Sequence, residues 1–508
     1  MINTAFARPP GLYDRLPDEF AEAREVIGKL QAAMTRFGYQ IVETPLVEFA
    51  DLFLTKSGDD AVNRLFHFEL RGRHLCLRSE FTPSAVRLYV ERFQHEPKPI
   101  RWQFAGPVFR YESPQRSHSR QFTMLGTELI GATGISGDAE TIGMATQGLI
   151  SIGLREWILH IGHVGLVSQL LDRFALDRRV KRFLLGQIEN LRRPDRGRDY
   201  VEEQVRQLYA GLPTLPVAGK EANEDDEAAS MTQTISLLLE SANLVMPSAS
   251  RTPQEIAQRL LKKQRRASHH QDTLKAIDFL DRLTRINDVP DRAFAEIDAL
   301  IADLASDEEL QTTVNTFRQT VALLEAYGIP SSQVHIAMGM ARGLNYYTGI
   351  VFEVHTLTGD SSSQLCGGGR YDDFIRVTGA AKDTPAVGFA YGLERLLQEL
   401  HRLGQQTVPA QRVAATIVPL DEADAFTAAQ LATRLREAVN IDLYPPPVRN
   451  LTQTLTRLGK QGVPFVFIIG ESERAANQIS VRDMRTGQQS TCTLDTALAA
   501  ITGAINEP

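Results

Sequence analysis

The stretch RWQFAGPVFRYESPQRSHSRQFTMLGTELIG, residues 101–131, sets two extended runs on either side of a polar segment holding Pro, Ser and Arg. Aromatic and β-branched residues crowd both runs, which predicts two antiparallel strands joined by a hairpin loop. Upstream, RLFHFEL (64–70) and HLCLRSE (74–80) are shorter runs of the same kind. The chain from Arg64 to Ile130 is therefore read as the builder of an antiparallel sheet.

Outward from this block the periodicity changes. EFAEAREVIGKLQAAMTRFGYQ (19–40) spaces its apolar residues for a helix that stops at Phe37-Gly38, and IVETPLVEF (41–49) follows as a strand. On the other side GDAETIGMATQGLISIGL (137–154) returns to helical spacing, and WILHIGHVGLVSQLL (157–171) reads as a strand feeding a helix. Between about 175 and 325 the chain is helical and charge-rich, with the acidic VAGKEANEDDEAAS (217–230) read as loop. Strands resume in QVHIAMGMARGLNYYTGIVFEVHT (333–356). LCGGGRYDDF (365–374) is read as a turn, AVGFAYGLERLLQELHRL (386–403) as a helix, and GQQTVPAQR (404–412) as a linker. Beyond it, VAATIVPL, IDLYP, FVFIIG and ISVRDM alternate with helices at 421–438 and 450–460, the pattern of a small α/β domain with a mixed sheet. The fold class is α+β, with an antiparallel sheet flanked by helices. The domains are a core in two parts (1–170 and 329–405), a helical insertion (171–328) and a C-terminal α/β domain (411–508).

A chain of 508 residues with 43% hydrophobic content can bury a large core, and its length alone suggests roughly three domains. No window reaches the roughly 18 uninterrupted apolar residues of a membrane span, and the N-terminus lacks a signal-peptide core, so a cytoplasmic protein without membrane contact is expected. Cys76, Cys366 and Cys492 lie too far apart for a zinc or disulfide framework. The net charge of −7 gives no sign of nucleic-acid binding, although it averages over domains.

Arg110, Arg120, Arg342 and Arg395 recur through the sheet-forming segments. Arginine is costly to bury unless it meets an anion, and its donor fork suits phosphate or carboxylate oxygens, so the set suggests a polyphosphate site. Pairing with acids such as Glu112 or Glu353 is the competing reading for each. CGGGRYDD (366–373) lacks the spacing of a nucleotide-binding loop. It is either a plain tight turn or a place where backbone approaches a ligand beside Arg370 and Tyr371.

Taken in order, several segments resemble the motifs of class II aminoacyl-tRNA synthetases, most closely the histidyl-tRNA synthetase family. GYQIVETPLVE (38–48) resembles the first motif, ending in Pro45; FRYESPQRSHSRQFTMLGTELIG (109–131) the second; and PAVGFAYGLERL (385–396) the third. ARGLNYYTGIVFEV (341–354) and GGGRYDDF (367–374) resemble the two histidine-specific motifs, and GVPFVFIIGESE (462–473) with ISVRDMRTGQQ (479–489) is similar to the anticodon-binding domain. DLFLTKSGDDAVNRLFHF (51–68) and YYTGIVFEV are equally similar to a paralogue, the regulatory subunit of ATP phosphoribosyltransferase, which usually lacks such a C-terminal domain.

The resemblance implies ATP- and Mg2+-dependent activation of L-histidine, transfer to tRNA(His), and a homodimer built through the first motif. Arg110 matches the arginine on the α-phosphate, Phe122 the aromatic on adenine, and Arg395 the arginine near adenine and the γ-phosphate, with Glu112 in the ATP set. Arg342 matches the distinctive arginine that contacts both the carboxylate and the α-phosphate. Glu80 and Thr82 match the residues at the α-amino group, Glu128 the acid on the imidazole, and Tyr346, Tyr347 and Tyr371 the tyrosines of the side-chain pocket. No acid is assigned to a metal. Met124 stands where the family has glutamine in the histidine site, Ser117 and His118 where the hairpin loop has Gly-Arg, and Asn345 where it has aspartate. LLKKQRRASHH (260–270) is read as a solvated helix face, with tRNA phosphates as the other candidate.

Overall fold

The computed structural model describes residues 7–54, 64–111, 119–174, 176–209, 270–304, 307–340, 346–357, 364–405 and 413–493, with 232–233, 252 and 496. The acidic segment 217–230, nearly all of the basic run 260–270, Glu112, Ser117, His118, Arg342 and Asn345 lie outside the described residues. The chain forms two compact units, 1–14 with 23–406 and 15–22 with 407–508.

In the first unit the strands are β1 (Gln40–Ile41), β2 (Val47–Phe49), β3 (His67–Leu70), β4 (Arg73–Leu77), β5 (Ile100–Phe109), β6 (Gln121–Ile130), β7 (Trp157–His163), β8 (Asn287–Asp288), β9 (Val334–Ala337), β10 (Ile350–Thr356), β11 (Gln364–Arg370) and β12 (Ala386–Gly392). Among the described residues they make a nine-stranded sheet in the order β1-β5-β6-β12-β11-β10-β7-β9-β8 and a three-stranded sheet in the order β2-β4-β3. The stretch that opens the sequence reading is the β5/β6 hairpin, paired antiparallel from Ile100↔Ile130 to Phe109↔Gln121. The large sheet is antiparallel except at β1/β5 and β7/β9.

One face of that sheet packs against the helix Ile135–Ser151. Leu125, Leu129, Val387, Phe389 and Tyr391 share a hydrophobic cluster with Ile142, Ala145 and Leu149, and the Tyr391 hydroxyl donates to the Ala145 carbonyl at 2.6 Å. Each fully buried large side chain of this kind contributes about 1.5–3 kcal/mol. The helices of the 171–328 segment add Leu184, Leu191, Leu280, Phe294 and Phe317 to the same cluster, so they continue this core. His163 ends β7 and caps the helix Val164–Leu171 by accepting from the Leu166 amide at 2.9 Å, which turns the strand directly into a helix.

Two sequence readings are corrected here. CGGGR is strand β11, paired on both sides by β10 and β12, and none of its glycines has positive φ. Its glycines are needed for close approach: a Cβ on Gly368 would strike the Gly388 carbonyl, and one on Gly369 the Tyr347 ring at 2.7 Å. AVGFAYG is likewise strand β12, and the helix begins at Leu393.

The second unit has β13 (Ala415–Pro419), β14 (Ile441–Leu443), β15 (Phe465–Ile469), β16 (Ile479–Asp483) and β17 (Gln489–Cys492) in the order β14-β13-β15-β16-β17. The first three strands are parallel and the last two antiparallel additions, with helices Ala425–Leu435 and Leu451–Lys460 as crossovers. This is the mixed sheet that the alternating pattern predicts.

Candidate active site

The face of the large sheet opposite helix Ile135–Ser151 carries a pocket lined by Glu80, Thr82, Phe104, Arg110, Met124, Tyr346, Tyr347, Gly367, Tyr371, Gly388, Phe389 and Ala390. Strand pairing explains the set. Gly388 of β12 sits opposite Glu128 of β6, and Gly369 and Gly367 of β11 sit opposite Gly388 and Ala390. Because side chains alternate faces, the large residues Val387, Phe389 and Tyr391 serve the core while Gly388 and Ala390 leave room above the sheet. A Cβ on Gly388 would coincide with the Glu128 carboxylate.

Glu128 is 1% exposed. Its Oε1 accepts from the Thr82 hydroxyl at 2.6 Å, and its Oε2 accepts from the Tyr371 hydroxyl. Burial pushes its carboxyl up to about 8, a rise that the Thr82 and Tyr371 hydrogen bonds oppose and nearby Glu80 adds to. Tyr371 is itself driven well above the usual tyrosine range, first by burial and then by the Glu128 charge. The hydroxyl proton therefore stays on Tyr371 and points at Glu128.

Glu80 follows β4 and accepts from the Tyr346 hydroxyl at 2.9 Å. Tyr346 is held in place by rings: it stacks on Phe374 at 4.9 Å and 8°, and meets Tyr371 edge-on at 5.7 Å. The turn bearing Glu80 and Thr82 is anchored by buried Arg78, which donates to the Thr44 carbonyl at 2.7 Å and the Pro107 carbonyl at 3.0 Å and lies 3.9 Å over the Phe81 ring. Tyr346 thus reaches the site through Glu80, and Thr82 through Glu128, a different pairing from the one the resemblance suggests.

At the mouth of the hairpin, Arg110 follows β5 and donates Nε to the Ser79 carbonyl at 3.1 Å, with its guanidinium 5.2 Å over Phe122. Among the described residues no acid pairs with it. Arg395, in the first turn of helix Leu393–Arg402, donates Nη1 to the Gln364 carbonyl at 3.2 Å and to Gln364 Oε1 at 3.3 Å. The neighbouring Glu394 receives the Thr123 amide at 2.9 Å and ties this helix to β6.

The structure thus brings Glu80, Thr82, Arg110, Met124, Tyr346, Tyr347 and Tyr371 to the lining of one pocket, with Glu128 bonded to Thr82 and Tyr371 and Phe122 under Arg110. Arg370 and Arg120 have other tasks. Buried Arg370 bonds Asp138 Oδ1 from Nε at 2.8 Å and Asp372 Oδ1 from Nη1 at 3.1 Å, and Arg120 lies 4.1 Å over the Tyr111 ring and donates to the Pro10 carbonyl at 3.1 Å. Sequence reasoning missed Phe104, Gly367, Phe389, Gly388 and Ala390. The alternation of large and small residues in AVGFAYG was the signal for the last two. Among the described residues no group of three or more His, Cys, Asp or Glu could hold a metal ion, and no helix is long and apolar enough to cross a membrane.

Comparison with known proteins gives this geometry a setting. A family model described as Histidyl-tRNA synthetase matches residues 11–271 and 239–396, and one described as Anticodon binding domain matches 414–503. The histidine–tRNA ligase of Thermococcus kodakarensis is 31% identical over 97% of both chains, and that of Pyrococcus furiosus 31% identical over 96% of both. Among solved structures, histidyl-tRNA synthetase from Nostoc sp. PCC 7120 superposes with a TM-score of 0.67 at 20% identity, covering 99% of this chain and all of the other (100%). A Bacillus halodurans C protein, titled an ATP phosphoribosyltransferase regulatory subunit/histidyl-tRNA synthetase, gives 0.62 at 20% identity, over 92% of this chain and 99% of its own. At these identities the two structures speak for the fold alone.

Proposed function

The chain belongs to the histidyl-tRNA synthetase family, and from that premise we propose that it is a histidine–tRNA ligase working through the pocket described above. The histidine carboxylate attacks the α-phosphate of ATP and pyrophosphate leaves; a hydroxyl of the terminal ribose of tRNA(His) then attacks the carbonyl of the adenylate and takes the histidyl group as AMP leaves. The observation that carries the reading is Glu128, a buried carboxyl held by the hydroxyls of Thr82 and Tyr371, two residues that line a pocket also lined by Arg110. Glu128 accepts one ring N–H of the substrate, and tyrosine hydroxyls from Tyr347 and Tyr371 meet the rest of the ring. A site whose polar groups need partners rejects side chains that lack them far more strongly than shape does.

Glu80, steadied by Tyr346, takes the α-amino group beside Thr82. Arg110 holds the α-phosphate, Phe122 lies on the adenine, and Arg395 reaches the γ-phosphate. By the family resemblance, Arg342 contacts both the histidine carboxylate and the α-phosphate, and Glu112 belongs to the ATP set. Fixed positive charge placed where negative charge accumulates is the main catalytic device. Mg2+ would be held mainly by the ATP phosphates, with one or two acids assisting.

The regulatory-subunit reading is disfavoured by the matched anticodon-binding domain at 414–503. The protein works in the cytoplasm as a homodimer. Support for the dimer comes from one face of the three-stranded sheet, where Phe49 is 57%, Leu70 55%, Val47 43% and Phe68 39% exposed, an apolar patch of the sort that marks an interface. Replacing Phe49 by Asp should shift sedimentation toward the monomer, and an unchanged species would remove that support. The ligase itself is tested by histidine-dependent pyrophosphate exchange followed by tRNA charging. Absence of exchange at saturating histidine refutes it.

A further inference from the structure

Arg395 is gripped twice by one residue. Its Nη1 donates to both the main-chain carbonyl and the side-chain Oε1 of Gln364, at 3.2 and 3.3 Å. The other end of the Gln364 amide is also fixed, because Nε2 donates to Glu353 Oε1 at 2.8 Å. The second oxygen of that carboxylate, Oε2, meets His355 Nε2 at 2.9 Å. An ionised carboxylate only accepts, so the amide must turn its NH2 toward Glu353 and its carbonyl toward Arg395. The amide has one workable orientation, and through it one nitrogen of the arginine is directed.

A local irregularity of the sheet puts Gln364 in this place. The β10/β11 register runs Glu353↔Gly367 and Val354↔Cys366, then shifts to His355↔Gln364. Leu365 is therefore left over as a bulge residue, and it is buried in the hydrophobic core. In regular pairing His355 would face Leu365, and Gln364 would point to the core side of the sheet. The bulge re-aims Gln364 to the ligand face, beside Glu353 and His355, as bulges near active sites do.

We propose that Gln364 is a positioning residue for Arg395, oriented by Glu353 and His355, and that this chain of hydrogen bonds sets the affinity for the ATP polyphosphate. The proposal rests on the reading of Arg395 as a phosphate ligand. A guanidinium swinging freely must be ordered when ATP binds, whereas one already held is preorganised for the anion.

The test is histidine-dependent pyrophosphate exchange by the full chain, read as separate KM values for ATP and histidine, with the fold of each variant checked by thermal melting. Gln364→Met keeps length and removes both side-chain bonds. It should raise the KM for ATP about tenfold, the loss of one hydrogen bond to a charged group, while the KM for histidine stays put. Glu353→Leu, which releases the far end of the Gln364 amide, should move the ATP KM in the same direction by a smaller factor. A folded Gln364→Met with unchanged ATP KM overturns the proposal. If Gln364→Met does not fold, a folded Glu353→Leu with unchanged ATP KM overturns it instead. Arg395→Ala separates the two readings. An unchanged ATP KM there removes the phosphate role itself, whereas a raised KM with Gln364→Met unaffected removes only the positioning role.

Discussion

At one end of the pocket the Glu128 carboxylate is 1% exposed and both of its oxygens accept protein hydroxyls; at the other, half-buried Arg110 donates to a main-chain carbonyl and rests over a ring. The two ends solve different problems. A small neutral ring is recognised by groups that are dry and fixed, because a mispaired buried group is costly. A polyphosphate carries its own charge, so its arginines are best held by neutral acceptors that fix the direction of the guanidinium and leave its charge for the ligand. Burial makes Glu128 selective and also raises its pKa, which is a standing cost in stability. Arg110 shows no acid partner among the described residues.

Substituting the two ends should give separable failures, with the larger one at the phosphate. Arg110→Ala should lower kcat for pyrophosphate exchange by roughly 10^2–10^3, the range seen when one preorganised donor is removed from an anion site, with little change in the KM for histidine. A matching rise in histidine KM would show that the ends are not distinct. Glu128→Gln should do the reverse, raising the histidine KM by roughly tenfold, the worth of a buried hydrogen bond left unmatched, with ATP affinity nearly kept.

The same variant tests the stability cost. Glu128 has a folded pKa of about 8, above its ordinary 4.5, so its contribution to stability is full at acid pH and is lost as pH rises toward about 8, at about 1.36 kcal/mol per unit. Glu128→Gln removes that loss. Its melting temperature relative to wild type, without ligands, should climb between about pH 5 and about pH 8. A flat difference would mean that burial does not strain this carboxyl.

Gly388→Ala probes the backbone beneath the same carboxylate. The added Cβ falls on Glu128, so the strand or the acid must move, at about 1–3 kcal/mol. The histidine KM should rise about tenfold, with a modest drop in melting temperature and a smaller change in ATP KM. An undisturbed histidine KM would show that Glu128 has room to relocate.

How far the sequence foretold these two ends differs for a physical reason. The β5/β6 hairpin, the helix Ile135–Ser151 and the mixed sheet of the second unit follow local periodicity, which the alternation of apolar residues records directly. The glycines of β11 and β12 do not. A run such as Gly367-Gly368-Gly369 ordinarily signals a turn because glycine tolerates positive φ, yet here it is a strand so closely flanked that a Cβ on Gly368 or Gly369 would meet a carbonyl or the Tyr347 ring. That is a long-range constraint, set by residues more than 200 positions away in the case of Glu128. The motif resemblance named most pocket residues for the same site, but it did not reveal that Thr82 serves Glu128 and Tyr346 serves Glu80, because both pairings exist only once the strands are assembled.

Met124 is where the comparison between the two ends is finest. It lies on β6 opposite Gly392 and packs with Phe81, Phe104, Val108 and Phe122, a cluster that continues to the Arg110 side of the pocket. A glutamine at this position would bring two donors and an acceptor to a wall that is otherwise aromatic, whereas the thioether offers only a weak acceptor. Methionine gives packing to both ends and a strong hydrogen bond to neither. Met124→Gln should therefore tighten histidine by about threefold, the net worth of one neutral hydrogen bond, and loosen the adenine side slightly through lost contact with Phe122. If histidine affinity is unchanged in pyrophosphate exchange, Met124 belongs to the aromatic wall alone, and the boundary between the two ends runs between Met124 and Glu128.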